Sequence, residues 1–271
     1  MDSLFLWIIG FTTLGGVISV LAAACLLLLS DRLRAALLPS LVSFAIGTLL
    51  GAAFLALLPH ALETEGVDAH NLAFTVLLGL LGFFVLEKMV LWRHCHTHDC
   101  EVHGSADGSH HKAHQIDIER ARTAATGSLI LVGDGIHNLV DGVLIAAAFL
   151  TDVHLGIVTS VAVIAHEIPQ ELGDFAILLA SGYSRSRALL YNMLASLTMV
   201  VGGIVAYFSL SFAAAVVPYV LAVAASSFIY IAVADLIPGL HRRPEFSATL
   251  QQLGLIGIGV AVIFFTDATM H

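Results

Sequence analysis

Two long apolar stretches of this chain carry side chains that hydrocarbon does not hold without a purpose. LVGDGIHNLVDGVLIAAAF contains Asp134, His137, Asn138 and Asp141, and AHEIPQELGDFAILLASG contains His166, Glu167, Gln170, Glu171 and Asp174. Residues three and four apart share a helix face, so His137 and Asp141 stand together, with Asp134 one turn before them beside Asn138. His166 and Gln170 share one face of the second stretch; Glu167, Glu171 and Asp174 share the adjoining one. Pro169 interrupts the backbone ladder in the middle of that set. Two imidazoles, two amides and several carboxylates suit zinc, iron, manganese or cadmium, whereas copper(I) calls for thiolate. A structural hydrogen bond would account for one such histidine alone. Uncompensated carboxylates at the bilayer centre cost roughly 2.5–3.5 kcal/mol each on insertion scales, so two clusters at matching depth point to a metal or proton site.

The elements that position these groups follow from composition. Apolar residues make up 58% of the chain and charged residues 11%, and the mean hydropathy is +0.94. That is the profile of an all-α integral membrane protein. Crossing a core of roughly 30 Å takes about 20 apolar residues, and such runs lie near 4–30, 38–61, 71–92, 122–150, 154–182, 187–213, 215–238 and 247–268. Eight transmembrane helices are expected, and the first reads as a span rather than a removable signal peptide. All eleven basic residues then fall in loops on one side: Arg32 and Arg34; Lys88, Arg93, Lys112, Arg120 and Arg122; Arg185 and Arg187; Arg242 and Arg243. The positive-inside rule makes that side cytoplasmic and places both termini outside, in a plasma membrane of the bacterial inner-membrane type. Both polar clusters then sit at the bilayer midplane, where access has to alternate between the two sides.

The chain divides into spans 1–3 (1–92), a loop (93–121), spans 4 and 5 with the polar clusters (122–182), and spans 6–8 (183–271). The loop includes HCHTHDCEVHGSADGSHHKAH, which has almost no apolar residues to build a core, so it is expected to be disordered and cytoplasmic. Its His94, His96, His98, His103, His110, His111 and His114 form a tract that captures borderline metals loosely. Cys95 and Cys100 lie there and Cys25 lies in span 1, which is not a disulfide framework. Outer loops carry Glu63, Glu65, Asp68 and Asp152. A net charge of −9 therefore describes a mouth that attracts cations and excludes a nucleic-acid partner. Gly133, Gly135 and Gly142 are expected to let a neighbouring helix approach span 4 closely. The ends of spans 2 and 7, ALLPHAL and ADLIPGL, echo each other while crossing in opposite directions, as inverted repeats do.

HNLVDG in span 4 and HEIPQELGDFAILLASG in span 5 resemble the paired signatures of the ZIP zinc and iron transporter family, in particular the branch whose fifth helix reads HEXPHELGD. The resemblance covers the whole chain. It implies uptake of a divalent metal, with zinc first and cadmium, iron or manganese as alternatives, as substrate rather than as a catalytic cofactor. It also implies an inverted-repeat bundle in which spans 1, 4, 5 and 6 move against 2, 3, 7 and 8, in a homodimer. Carried over by position, the metal ligands are His137, Asn138, Asp141, His166, Glu167 and Gln170, with Asp134, Glu171, Asp174 and Asn192 as auxiliary groups. Three departures stand out. Gln170 replaces the second histidine of the span 5 motif, and Ala52 and Ala56 stand where relatives place an acid and a histidine on span 2. LLYNMLASLTMVVGG in span 6 offers only Asn192 and Ser196 where relatives with two central metals use an acid, so one well-formed metal site and at best a weaker second are expected.

Two other functions compete. His166 and Glu167 begin like the HExxH zinc-hydrolase motif, but Gln170 removes its second ligand, so an enzyme is not expected. A sensor that binds metal without moving it would need the same donors.

Overall fold

The computed structural model describes residues 3–95, 110–241 and 245–268, and these form helices and short connections with no strand. Eight helical segments follow one another: α1 (Ser3–Leu28), α2 (Asp31–Glu63), α3 (Ala69–Cys95), α4 (His110–Thr151), α5 (Val153–Ala180), α6 (Arg185–Ser211), α7 (Ala214–Leu240) and α8 (Phe246–Ala268). Seven are long and apolar enough to cross a membrane; α5, with 28 residues, carries Glu167, Glu171 and Asp174 within its length. The expected spans are all present. Helix α3 runs on to Cys95 and α4 begins at His110, so both reach into the stretch expected as loop. His96, His98 and His103 lie outside the described residues; the side chains of His94, His110, His111 and His114 are not described either.

Local chemistry sets the breaks. Ser30 caps α2 by accepting from the Leu33 N–H at 3.4 Å, and Ser184 caps α6 by accepting from the Arg187 N–H at 3.4 Å. Asp152 alone separates α4 from α5. It caps α5 by accepting from the His154 and Leu155 N–H groups at 2.7 and 3.2 Å, which satisfies donors that a helix start leaves orphaned. A one-residue corner makes α4 and α5 antiparallel neighbours with a fixed register.

The helices sort into two groups. In one, α4 packs on α5 and α6, and α1 packs on α5 and α6; in the other, α2 packs on α8 and α7, and α3 packs on α7. Exchanging α1 with α6, α2 with α7, α3 with α8 and α4 with α5 maps the α4–α6 contact onto α5–α1 and the α2–α8 contact onto α7–α3. That is the contact pattern of an inverted repeat, with α4 and α5 as the pair that the symmetry interchanges. The echo between spans 2 and 7 has a backbone counterpart. Ala52–Leu57 and Ile231–Leu236 each form a widened π turn, with the Leu58 N–H donating to the Ala53 carbonyl and the Ile237 N–H donating to the Ala232 carbonyl. Pro59 and Pro238 follow each turn at the same offset. A proline ring clashes with the carbonyl four residues before it, and opening the turn relieves that clash.

Glycine permits the closest approaches. A Cβ on Gly142 of α4 would strike the Met199 carbonyl of α6, and one on Gly202 of α6 would strike the Leu139 carbonyl of α4. Among the three span 4 glycines expected to serve this purpose, only Gly142 does. Gly133 faces open space and Gly135 meets only a Thr198 methyl at 3.8 Å. Gly47 and Gly259 make the equivalent contact between α2 and α8. Most of α3 and α8 is exposed, as helices that face lipid should be, while α2, α5 and α7 are the more enclosed.

Candidate metal site

The antiparallel α4 and α5 bring His137, Asp141, His166 and Glu167 into one cluster. His137 Nε2 lies 3.7 Å from Asp141 Oδ2 and 3.4 Å from Glu167 Oε1. His166 Nε2 lies 3.3 Å from Asp141 Oδ2 and 3.8 Å from Glu167 Oε1. The two Nε2 atoms are 3.4 Å apart, and all four donors lie within 4.8 Å of one another. A regular tetrahedron of N and O ligands about 2.0–2.2 Å from a central zinc has edges of roughly 3.3–3.6 Å. Five of the six separations fall on or near that range, so the cluster has the size of a tetrahedral N2O2 zinc site.

The helices and their immediate neighbours orient each donor. His166 Nδ1 lies 3.1 Å from the Ala162 carbonyl; a carbonyl only accepts, so Nδ1 carries the hydrogen and Nε2 presents its lone pair to the site. The His137 and His166 rings meet edge to face, with centroids 5.6 Å apart and planes at 89°. Phe228 of α7, its ring centroid 6.1 Å from that of His166, brings the other helix group to the site. The side chains of Asp141 and Glu167 are fully buried and that of His166 is 1% exposed, whereas that of His137 is 26% exposed. His137 is therefore the one member of the cluster that is partly open to the surroundings. Neither oxygen of Asp141 nor of Glu167 has a hydrogen-bond partner, and such buried acceptors require a cation or protons to offset their desolvation.

The other expected residues take three different positions. Asn138 is buried beside the quartet, and its Nδ2 donates to Asp134 Oδ1 at 2.8 Å and to the Asp134 carbonyl at 3.2 Å. Its own Oδ1 is buried without a partner. Gln170 is half-buried one turn beyond His166. Glu171 is buried and held by α6: Ser196 Oγ donates to Glu171 Oε1, and Asn192 Nδ2 donates to the Glu171 carbonyl at 3.3 Å. Asp174 is half-buried a turn further on. Ala52 and Ala56 are fully buried in the π turn of α2 as small packing residues. Carboxylate oxygens of Asp134, Glu167 and Glu171 also come within 4.8 Å of one another; that approach and the role of Ser196 leave no trace in helical spacing, because they depend on how three helices meet.

The family model described as ZIP Zinc transporter matches residues 3–267. Zinc transporter ZIP5 of Homo sapiens is 36% identical over 88% of this chain and 54% of that protein. Zinc transporter zipt-7.1 of Caenorhabditis briggsae is 30% identical over 98% of this chain and 80% of its own. Zinc transporter ZIP10 of Danio rerio is 36% identical over 56% of this chain. The chain spans only 19% of that zebrafish protein's length.

Proposed function

Because the chain belongs to the ZIP zinc transporter family, we propose that it carries divalent metal ions, zinc foremost, across the membrane to the cytoplasm by alternating access. The observation that carries this reading is the N2O2 quartet of His137, Asp141, His166 and Glu167. It lies inside two helices of membrane-crossing length, at the pair of elements that the inverted repeat interchanges. Transporter sites sit at such repeat interfaces near the midplane.

The ion approaches a mouth made acidic by the exposed Glu63, Glu65 and Asp68 and sheds water as the four donors replace it. It leaves when the group of α1, α4, α5 and α6 shifts against α2, α3, α7 and α8. His137, Asp141, His166 and Glu167 hold the resting ion, and Asn138 and Gln170 stand beside them as neutral oxygen donors that exchange onto it as it moves. The quartet accepts cadmium as well, and iron or manganese less well, since the donors suit all of these ions. The histidine-rich segment receives the released ion on the cytoplasmic side. We place the protein in a plasma membrane with both termini outside, as a homodimer.

A hydrolase is disfavoured by position: Glu167 Oε1 is within 3.8 Å of both imidazole Nε2 atoms, where it ligates metal and is not available as a base. Zinc entry into proteoliposomes with a trapped fluorescent indicator tests transport against sensing. Saturable entry in the wild type that is lost in His166→Ala supports a transporter. Tight binding with no entry would convert the protein to a sensor.

A further inference from the structure

Away from the metal site, the ends of four helices leave a cleft of about 1100 Å³. The last turn of α1, the first two turns of α2, the second half of α5 and the first turn of α6 enclose it. Leu28, Leu38, Leu172 and Leu179 make its walls apolar, while Arg34 and Arg185 line the end at which α2 and α6 begin. On α5 the lining residues Pro169, Leu172 and Ala176 follow helical spacing and share a face that Glu167, Glu171 and Asp174 do not. No member of the metal quartet lines the cleft, so its own lining decides what it takes.

Depth and charge together identify that occupant. Along α5 the lining runs from Pro169 to Leu179, which at a rise of roughly 1.5 Å per residue is about 15 Å. That is half of a hydrocarbon core of roughly 30 Å, the depth of one leaflet. The volume exceeds the roughly 300–1,000 Å³ of pockets for drug-sized ligands, which leaves room for a long acyl chain. At the mouth, α2 and α6 both begin, and their helix dipoles turn positive ends toward it. Asp31 pairs with Nη2 of Arg34, but the guanidinium keeps further N–H donors. Arg185 is in no ion pair among the described residues. An apolar slot one leaflet deep, with two arginines at its mouth, complements a molecule with a long apolar tail and an anionic phosphate head.

Going beyond the transport reading, we infer that this cleft binds one phospholipid with an anionic headgroup from the leaflet on the basic-loop side. Arg34 and Arg185 hold its phosphate, and its acyl chain lies along α5 between Leu38 and Leu172. Basic pockets between transmembrane helices take such headgroups. The cleft joins α2 of one helix group to α1, α5 and α6 of the other, so a lipid seated there touches both groups and stabilises the arrangement described.

The test is native mass spectrometry of the purified full-length chain after incubation in detergent with equal amounts of dioleoyl phosphatidylglycerol and dioleoyl phosphatidylcholine. The wild type is expected to retain one phosphatidylglycerol per chain more than Ala176→Trp, whose indole fills the cleft from an exposed position on α5. Gly173→Leu is a second filling variant, since a Cβ at Gly173 meets nothing within 4 Å. Melting temperature checks that each variant is folded. Arg34→Gln/Arg185→Gln should lose the preference, the retained ratio of phosphatidylglycerol to phosphatidylcholine falling about tenfold, the scale of lost hydrogen bonds to charged groups. Phosphatidylglycerol retained equally by the wild type and a folded filling variant would overturn the site. A wild type that retains both lipids alike, or an unchanged ratio in the arginine double variant, would overturn the anionic occupant. Zinc entry plays no part in these counts, so the transport reading stands or falls separately.

Discussion

At the residue scale, the function rests on donors that must be unprotonated to bind metal. Protons compete for the imidazoles of His137 and His166 and for the carboxylates of Asp141 and Glu167, and binding zinc releases whatever protons they hold. The sign follows: acidification weakens binding. Zinc uptake measured at equal free zinc should fall several-fold from pH 7 to pH 5, and a flat profile over that window would contradict ligation by this set. Gln170 is the informative departure. It is half-buried one turn beyond His166, so Gln170→His adds an imidazole beside the quartet. The expected outcome is a lower half-saturation concentration for zinc, with slower release visible as a reduced maximal rate. An unchanged half-saturation would place Gln170 outside the ligand set. The quartet was legible in the sequence because His and Asp or Glu are rare in lipid, and because helical spacing puts them on shared faces. The second carboxylate cluster was legible only as a list of auxiliary groups. Its geometry depends on the register between α4 and α5, which neither sequence alone states.

At the element scale, close packing fixes the register of the helices that carry the donors. Gly142 and Gly202 let α4 and α6 touch backbone to backbone, one striking the Met199 carbonyl and the other the Leu139 carbonyl if a Cβ were added. Gly142 directly follows Asp141, so any separation of these helices displaces a ligand. Gly142→Val should lower stability by about 1–3 kcal/mol, seen as a drop in melting temperature in detergent, and abolish zinc uptake. Gly133→Ala, facing open space on the same helix, should leave both unchanged. Equal behaviour of the two variants would refute the packing argument. The number and order of helices could be read from runs of about 20 apolar residues. The π turns at Ala52–Leu57 and Ile231–Leu236 could not, since only the weak ALLPHAL and ADLIPGL echo marks them. Nor could the choice of Gly142 over Gly133, which is decided by a neighbour far away in the chain.

At the scale of the whole molecule, two helix groups, each mapped onto itself by the inverted repeat, meet through α5 against α2 and α8 and through α4 against α7. The described helices end at Cys95 and resume at His110, so the segment 96–109 can be deleted without cutting either. Zinc uptake by that deletion should keep its half-saturation while the total metal bound per chain falls; complete loss of uptake in a folded deletion would assign the segment to the pathway itself. On the proposed function, zinc is held by two imidazoles and two carboxylates in a tetrahedron inside the bilayer. X-ray absorption at the zinc edge tests it most directly, on the 96–109 deletion loaded with one zinc per chain. Four nitrogen and oxygen neighbours are expected at about 2.0–2.1 Å, with the imidazole scattering diminished by His137→Ala or His166→Ala and no sulfur near about 2.3 Å. A spectrum showing sulfur ligands, or one unchanged by either histidine substitution, would contradict it.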